Sequence, residues 1–156
     1  MLTRRTATRL SIAAVGSITV IAASLTGCSM LDRQSNLVPF TTQLRGANEV
    51  PANATTGSGQ VDAVFDKSTN LLRWKVSYSG LTGPATAGHF HGPAAIGANA
   101  GVALPWANPI RSPLDGSATL TAAQAADLMA GRWYANIHTA AHPGGEVRGQ
   151  MTMVRN

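Results

Sequence analysis

The sequence predicts an all-β protein, an antiparallel β-sandwich or flattened Greek-key barrel of about eight strands with one short helix. Apolar and polar side chains alternate over several short segments, which is the pattern of strands with one buried face. Gly, Pro, Asn and Asp separate these segments at the short intervals typical of hairpin turns. Only one segment carries a helix-start signal, so the strand–helix alternation of parallel α/β proteins is missing.

Two strands at 59–66 and 71–79 alternate most clearly and form a predicted hairpin around the polar turn 66–70. The helix is predicted at 122–130, because Thr121 and Gln124 have capping-box spacing and Gly131 follows. The remaining strands are predicted at 40–45, 85–91, 102–106, 117–120, 133–139 and 146–154.

Large apolar residues on these strands are expected to form the core. Met151 and Met153 are two apart on the last strand, and both are expected to be buried. Trp106 follows a proline in a loop-rich stretch, so it is expected to be the most exposed of the three tryptophans.

The first 27 residues have the features of a bacterial export signal. Arg4, Arg5 and Arg9 precede an uncharged stretch at 10–23 that is too short to cross a bilayer comfortably. The next motif, 25–28, resembles the lipobox, in which the cysteine, here Cys28, is lipidated, for example with palmitate. This predicts a lipoprotein anchored to a bacterial membrane and facing the periplasm or the cell exterior. A plain secretory signal with an incidental cysteine is the alternative.

The sequence therefore divides into a signal peptide at 1–27, a lipidated cysteine and tether at 28–38, and one domain at 39–156. Cys28 is the only cysteine, so the domain is expected to fold without a disulfide. The chain has 12 basic and 7 acidic residues, but three of the basic ones lie in the signal and the rest are scattered. No basic stripe exists, so we expect no nucleic-acid partner.

All four histidines fall in two short patches about fifty residues apart. His89 and His91 are two apart on a predicted strand, so their imidazoles should share one face, and His138 could join them from a neighbouring strand. Clustered neutral imidazoles are common ligands of zinc and copper. We therefore hypothesise a copper or zinc site with Glu146 or His142 as the fourth ligand.

A buried polar network is the alternative interpretation of the same histidines. In it the three imidazoles would form hydrogen bonds with Glu146, Arg148 and Asn136. Glu146 and Arg148 lie on the same face of the last predicted strand, so at least one of them is expected to contact the histidines. An arginine so close to Glu146 would compete with a metal for its carboxylate.

Four motifs taken together resemble the CHRD domain, a family named from chordin and common in bacterial secreted proteins. The resemblance implies a β-sandwich distantly similar to copper/zinc superoxide dismutase, with a family pattern centred on the positions of His89, His91 and His138. His142 lies outside that pattern. The motifs are LRGANEVP at 44–51, GHFHGP at 88–93, YANIHT at 134–139 and PGGEVRGQ at 143–150.

Catalysis is not expected. Four histidines are too few for the six histidines and one aspartate of the dismutase, and no serine lies in a nucleophile-elbow sequence. Glu49 and Glu146 are expected to form ion pairs with arginines and not to act as the two catalytic carboxylates of a glycosidase. The expected function is binding, and a structural or protein-interaction module of the cell envelope is the alternative.

Overall fold

A computed structural model describes residues 36–155, and within them the fold is mostly antiparallel β with one helix, as predicted. The predicted signal peptide and Cys28 lie outside the described residues. A short 3-10 turn at Gly46–Asn48 follows the first strand, and the helix α1 spans Ala122–Met129. The strands are β1 (Leu37–Arg45), β2 (Ser58–Asp66), β3 (Leu71–Ser79), β4 (Ala85–His91), β5 (Val102–Pro105), β6 (Leu114–Thr119), β7 (Tyr134–Thr139), β8 (Val147–Gln150) and β9 (Thr152–Met153).

The strands form one sheet in the order β5-β4-β7-β8-β1-β2-β3-β6. β1 pairs with β8 at Arg45 and Arg148, and with β9 at Phe40 and Met153. The last predicted strand is therefore divided in two at Met151. β1 is central to the sheet, because it pairs with β8 of the group β5-β4-β7-β8 on one side and with the hairpin of β2 and β3 on the other.

The sheet curls on itself to enclose the core. Trp74 on β3 and Phe90 on β4 are five strands apart in the sheet order, which in a flat sheet would separate them by about 24 Å. Their ring centroids lie only 5.3 Å apart in an edge-to-face contact. The two halves of the sheet therefore face each other across one hydrophobic core, which gives the predicted barrel-like fold.

The core corrects two predictions about burial. Trp106 is only 4% exposed, because its ring packs 5.3 Å from Phe90 and over Gly88. Met151 is 1% exposed as expected, but Met153 is 37% exposed. Met153 lies beyond the break in the last strand, so its side chain no longer follows the alternation that begins at Val147.

The capping box predicted for α1 is confirmed. The Thr121 hydroxyl accepts a hydrogen bond from the Gln124 backbone N–H at 3.2 Å, and the Gln124 side chain accepts one from the Thr121 N–H at 2.9 Å. Ala125 and Leu128 bury one side of the helix in the core. The part of the chain described contains no helix with the length and apolar character to cross a membrane.

Candidate metal centre

The histidines lie on the face of the sheet opposite the core. β4 and β7 are neighbours, and their residues Phe90 and Ile137 point into the core. Because side chains alternate along a strand, His89, His91 and His138 project from the other face. The pairing register of β4 and β7 then places them close together. His89 is directly opposite Asn136, and His138 is only two residues further along β7, opposite Ala87.

These three imidazoles form the histidine cluster. One ring nitrogen from each lies within 4.8 Å of the other two, so a single ion could lie within about 3 Å of all three. His89 Nδ1 and His138 Nε2 are 3.1 Å apart, and the rings of these two residues meet at an angle of 65°. The structure thus brings together the three predicted histidines from two strands.

Backbone carbonyls fix the proton positions of two of these rings. His91 Nδ1 lies 3.0 Å from the Ala100 carbonyl oxygen, and His138 Nδ1 lies 2.9 Å from that of Pro143. A carbonyl only accepts, so each Nδ1 carries the proton and each Nε2 keeps its lone pair in the neutral ring. Metal-binding histidines are commonly oriented by such a hydrogen bond from the nitrogen that does not bind metal.

Burial favours the neutral, metal-binding form of two rings. Burial and then the nearby rings of His138 and His91 lower the pKa of His89 to about 4. Burial also lowers the pKa of His91, which is 8% exposed. Both imidazoles therefore offer lone pairs at neutral pH.

Asn136 and Glu49 extend the site behind His91. The Asn136 side-chain oxygen Oδ1 lies 3.0 Å from His91 Nε2, so the predicted contact of Asn136 with the histidines is present. Burial raises the pKa of Glu49 to about 7, against the opposing effects of Arg148 and of hydrogen bonds from Val50 and Asn136. Sequence reasoning did not place Glu49 here, because its loop comes back to β7 only through tertiary structure.

Glu146 lies in a separate hydroxyl cluster, contrary to the expectation that it would supply a fourth ligand or join the histidine network. Its carboxylate accepts hydrogen bonds at 2.6–2.8 Å from the Thr55, Thr82 and Thr139 hydroxyls and from the Thr82 N–H. Although burial opposes it, these hydrogen bonds lower the pKa of Glu146 to about 2. All the strong acceptor positions are used, so no ligand remains for an ion at the histidines.

Arg148 is separated from the histidine cluster by Tyr134, so the expectation that it would contact the histidines or pair with Glu146 is wrong. Its guanidinium lies 3.4 Å from the centre of the Tyr134 ring and donates to Asn99 Oδ1 and to the Ala98 carbonyl. The His91 ring stacks on the same tyrosine, 4.8 Å away and nearly parallel. β4 and β8 flank β7 on opposite sides, so the tyrosine lies between the guanidinium and His91.

His142 does not join the other three histidines in the described residues. It lines a cleft of about 260 Å³ between the loops 49–53 and 141–145. Its backbone closes the turn after β7 through hydrogen bonds with Thr139. This placement does not support His142 as the fourth ligand.

This geometry defines the class of protein: it is an all-β domain with a three-histidine cluster on its outer face. The family model of the CHRD domain matches residues 40–151, nearly all of the described chain. The chain therefore belongs to the CHRD domain family. Searches of curated proteins and of solved structures found no match. The likeness to copper/zinc superoxide dismutase stays a prediction.

Proposed function

We propose that this CHRD domain is a lipid-anchored, extracytoplasmic binding domain that holds a divalent ion, copper or zinc, through His89, His91 and His138. The observation that supports it most is the convergence of the three ring nitrogens within 4.8 Å. Hydrogen bonds from the Nδ1 atoms of His91 and His138 to backbone carbonyls support it further, because they leave the Nε2 atom of each neutral ring with a lone pair.

The surroundings of the cluster are also compatible with a cation. Tyr134 separates the Arg148 guanidinium from His91, and that guanidinium is already bound to Ala98 and Asn99. A positive charge directly beside the imidazoles would have opposed metal binding. The three nitrogens leave a fourth position for water or another ligand, as in sites that exchange a ligand.

Thermal unfolding of the domain with micromolar zinc or copper(II) tests the proposal. An ion that binds only the folded state stabilises it by about 2.7 kcal/mol at 100 times its dissociation constant. We expect a higher Tm at pH 7.5, and we expect the gain to vanish near pH 4, where even His89 takes up a proton.

The matched variants separate the cluster from incidental binding. His89→Ala/His91→Ala should lose the gain in Tm, whereas His142→Ala should keep it, because His142 lies outside the cluster. An unchanged melting curve of the parent with both metals, in a buffer without chelator, would contradict metal binding. It would favour the alternative, a structural or protein-interaction module of the envelope.

A further inference from the structure

The contact between His91 and Asn136 is unusual because both facing atoms are acceptors. His91 Nδ1 donates to the Ala100 carbonyl, so Nε2 of the neutral ring has a lone pair and no proton. The Asn136 Oδ1 atom lies 3.0 Å from that Nε2 and also has only lone pairs. With the His91 proton on Nδ1, these two atoms share no hydrogen, and a cation between them would satisfy both.

Glu49 determines which way the Asn136 amide faces. Its carboxylate is 6% exposed and accepts hydrogen bonds from the Asn136 side chain and the Val50 N–H, whereas Oε1 has no partner in the described residues. Glu49 presents an acceptor oxygen to the amide NH2 group, so Nδ2 turns to Glu49 and Oδ1 turns to His91. Gly145 makes room for this arrangement, because a Cβ there would collide with Glu49 Oε1 and approach Asn136 Nδ2.

Four polar atoms thus face one another in the histidine cluster and beside it. They form two facing pairs, His89 Nδ1 with His138 Nε2 at 3.1 Å and His91 Nε2 with Asn136 Oδ1 at 3.0 Å. Neighbouring ligands around a tetrahedral zinc ion, each at about 2.0–2.1 Å from the metal, are about 3.4 Å apart. The two observed spacings are close to that value, and one ligand nitrogen of each histidine lies within 4.8 Å of the other two, so Asn136 Oδ1 is the oxygen placed to join an ion held there.

We propose that Asn136 Oδ1 is the fourth ligand of the ion, and that Glu49 is a positioning residue that fixes the amide with its oxygen toward the metal. This inference rests on the proposed function, because it specifies the fourth position of the same site. It replaces Glu146 and His142, which the structure places elsewhere. Glu49 does not itself touch the ion. It acts through the NH2 group of Asn136.

Cobalt(II) and zinc titrations of the domain test the assignment. Cobalt(II) reports the ligand set through its visible absorption, and competition with zinc gives the affinity. Asn136→Leu removes the oxygen, so we expect zinc affinity to fall at least 10-fold and the cobalt spectrum to change. Asn136→Asp keeps an oxygen ligand and should retain binding with a shifted spectrum. Asn99→Leu is the control, because the Asn99 amide oxygen accepts a hydrogen bond from Arg148 and does not contact the histidines.

Variants at Glu49 test its positioning role. Glu49→Gln still presents an acceptor to the Asn136 amide and should bind zinc like the parent, whereas Glu49→Leu should weaken binding and alter the cobalt spectrum. A folded Asn136→Leu domain with the parental affinity and spectrum would overturn the assignment. If that variant does not fold, an unchanged cobalt spectrum for Asn136→Asp would overturn it equally. A parent that binds neither metal would instead refute the proposed function.

Discussion

The residue that differs most from its expected role is Glu146. It was expected to pair with Arg148 or the histidines, yet its side chain is fully buried among three threonine hydroxyls. Nothing in the strand pattern indicates this, because Thr55 and Thr82 lie in loops that reach Glu146 only in the folded chain. By contrast, the alternation along β4 was sufficient to predict that His89 and His91 share a face.

Glu146→Ala should destabilise the domain by about 1–3 kcal/mol, because the buried Thr139 hydroxyl, which donates to this carboxylate, would lose its acceptor. Denaturant unfolding measures this change. Asp115→Ala is the matched control. Its ion pair with Lys75 is 3.9 Å long and exposed, so its loss should cost about 0.5 kcal/mol or less. Equal unfolding midpoints for Glu146→Ala and the parent would contradict the role given to this carboxylate.

Glu146 should also make the free energy of unfolding fall as the pH is lowered. The pKa of Glu146 is about 2 in the folded state and ordinarily 4.5, so the unfolded chain binds the proton first as pH falls. The stability contributed by Glu146 is complete above pH 4.5 and should be lost between pH 4.5 and about 2. The stability difference between the parent and Glu146→Gln should therefore shrink over that window.

Among the elements, the short strands and the capped helix were predictable because each has a local signal. The hairpin of β2 and β3 begins and ends within one residue of its predicted bounds, at 58–66 and 71–79. The break at Met151 was not predictable, because the alternation continues through it in the sequence. It arises from pairing, since β8 contacts β1 at Arg45 and β9 contacts it again at Phe40.

β4 depends on a glycine to accept the Trp106 ring. A Cβ at Gly88 would collide with the indole, which packs against Phe90 in the core. Gly88→Ala should therefore destabilise the domain by about 1–3 kcal/mol, as overpacking does. Gly83→Ala is the control, because no atom lies within 4 Å of a Cβ there, and its effect should be about 0.5 kcal/mol or less. Equal stabilities for the two variants, by chemical unfolding, would show that Trp106 moves aside without cost.

At the scale of the whole molecule, the curl of the sheet could not be predicted from local patterns. Alternation predicts one buried face for each strand, but it does not say which strands face each other. The contact between Trp74 and Phe90 across five strands decides this, and it depends on how β1 joins the two halves. The same curl leaves the histidine cluster on the outside, where loops 49–53 and 93–101 pack around it.

The predicted lipid anchor can be tested on the full-length chain. If Cys28 carries the lipid, the expressed protein should fractionate with membranes, and mass spectrometry should find a diacylated N-terminal cysteine. Cys28→Ser should accumulate unlipidated, either unprocessed or released, whereas Ser29→Ala should behave like the parent. A Cys28→Ser protein that is still processed and membrane-bound would show that the anchor lies elsewhere.

β1 also separates the histidine cluster from the point where the N-terminal chain enters the fold. Leu37 begins this strand at the end that the N-terminal chain enters, and Arg45 ends it. Arg45 is level with Arg148, Asn136 and His89 across three neighbouring strands. The eight residue steps between the strand ends span about 26 Å. If the chain is anchored at Cys28, the histidines therefore lie at the end of β1 remote from the anchored segment, and an ion bound there would be separated from it by the length of the domain's central strand.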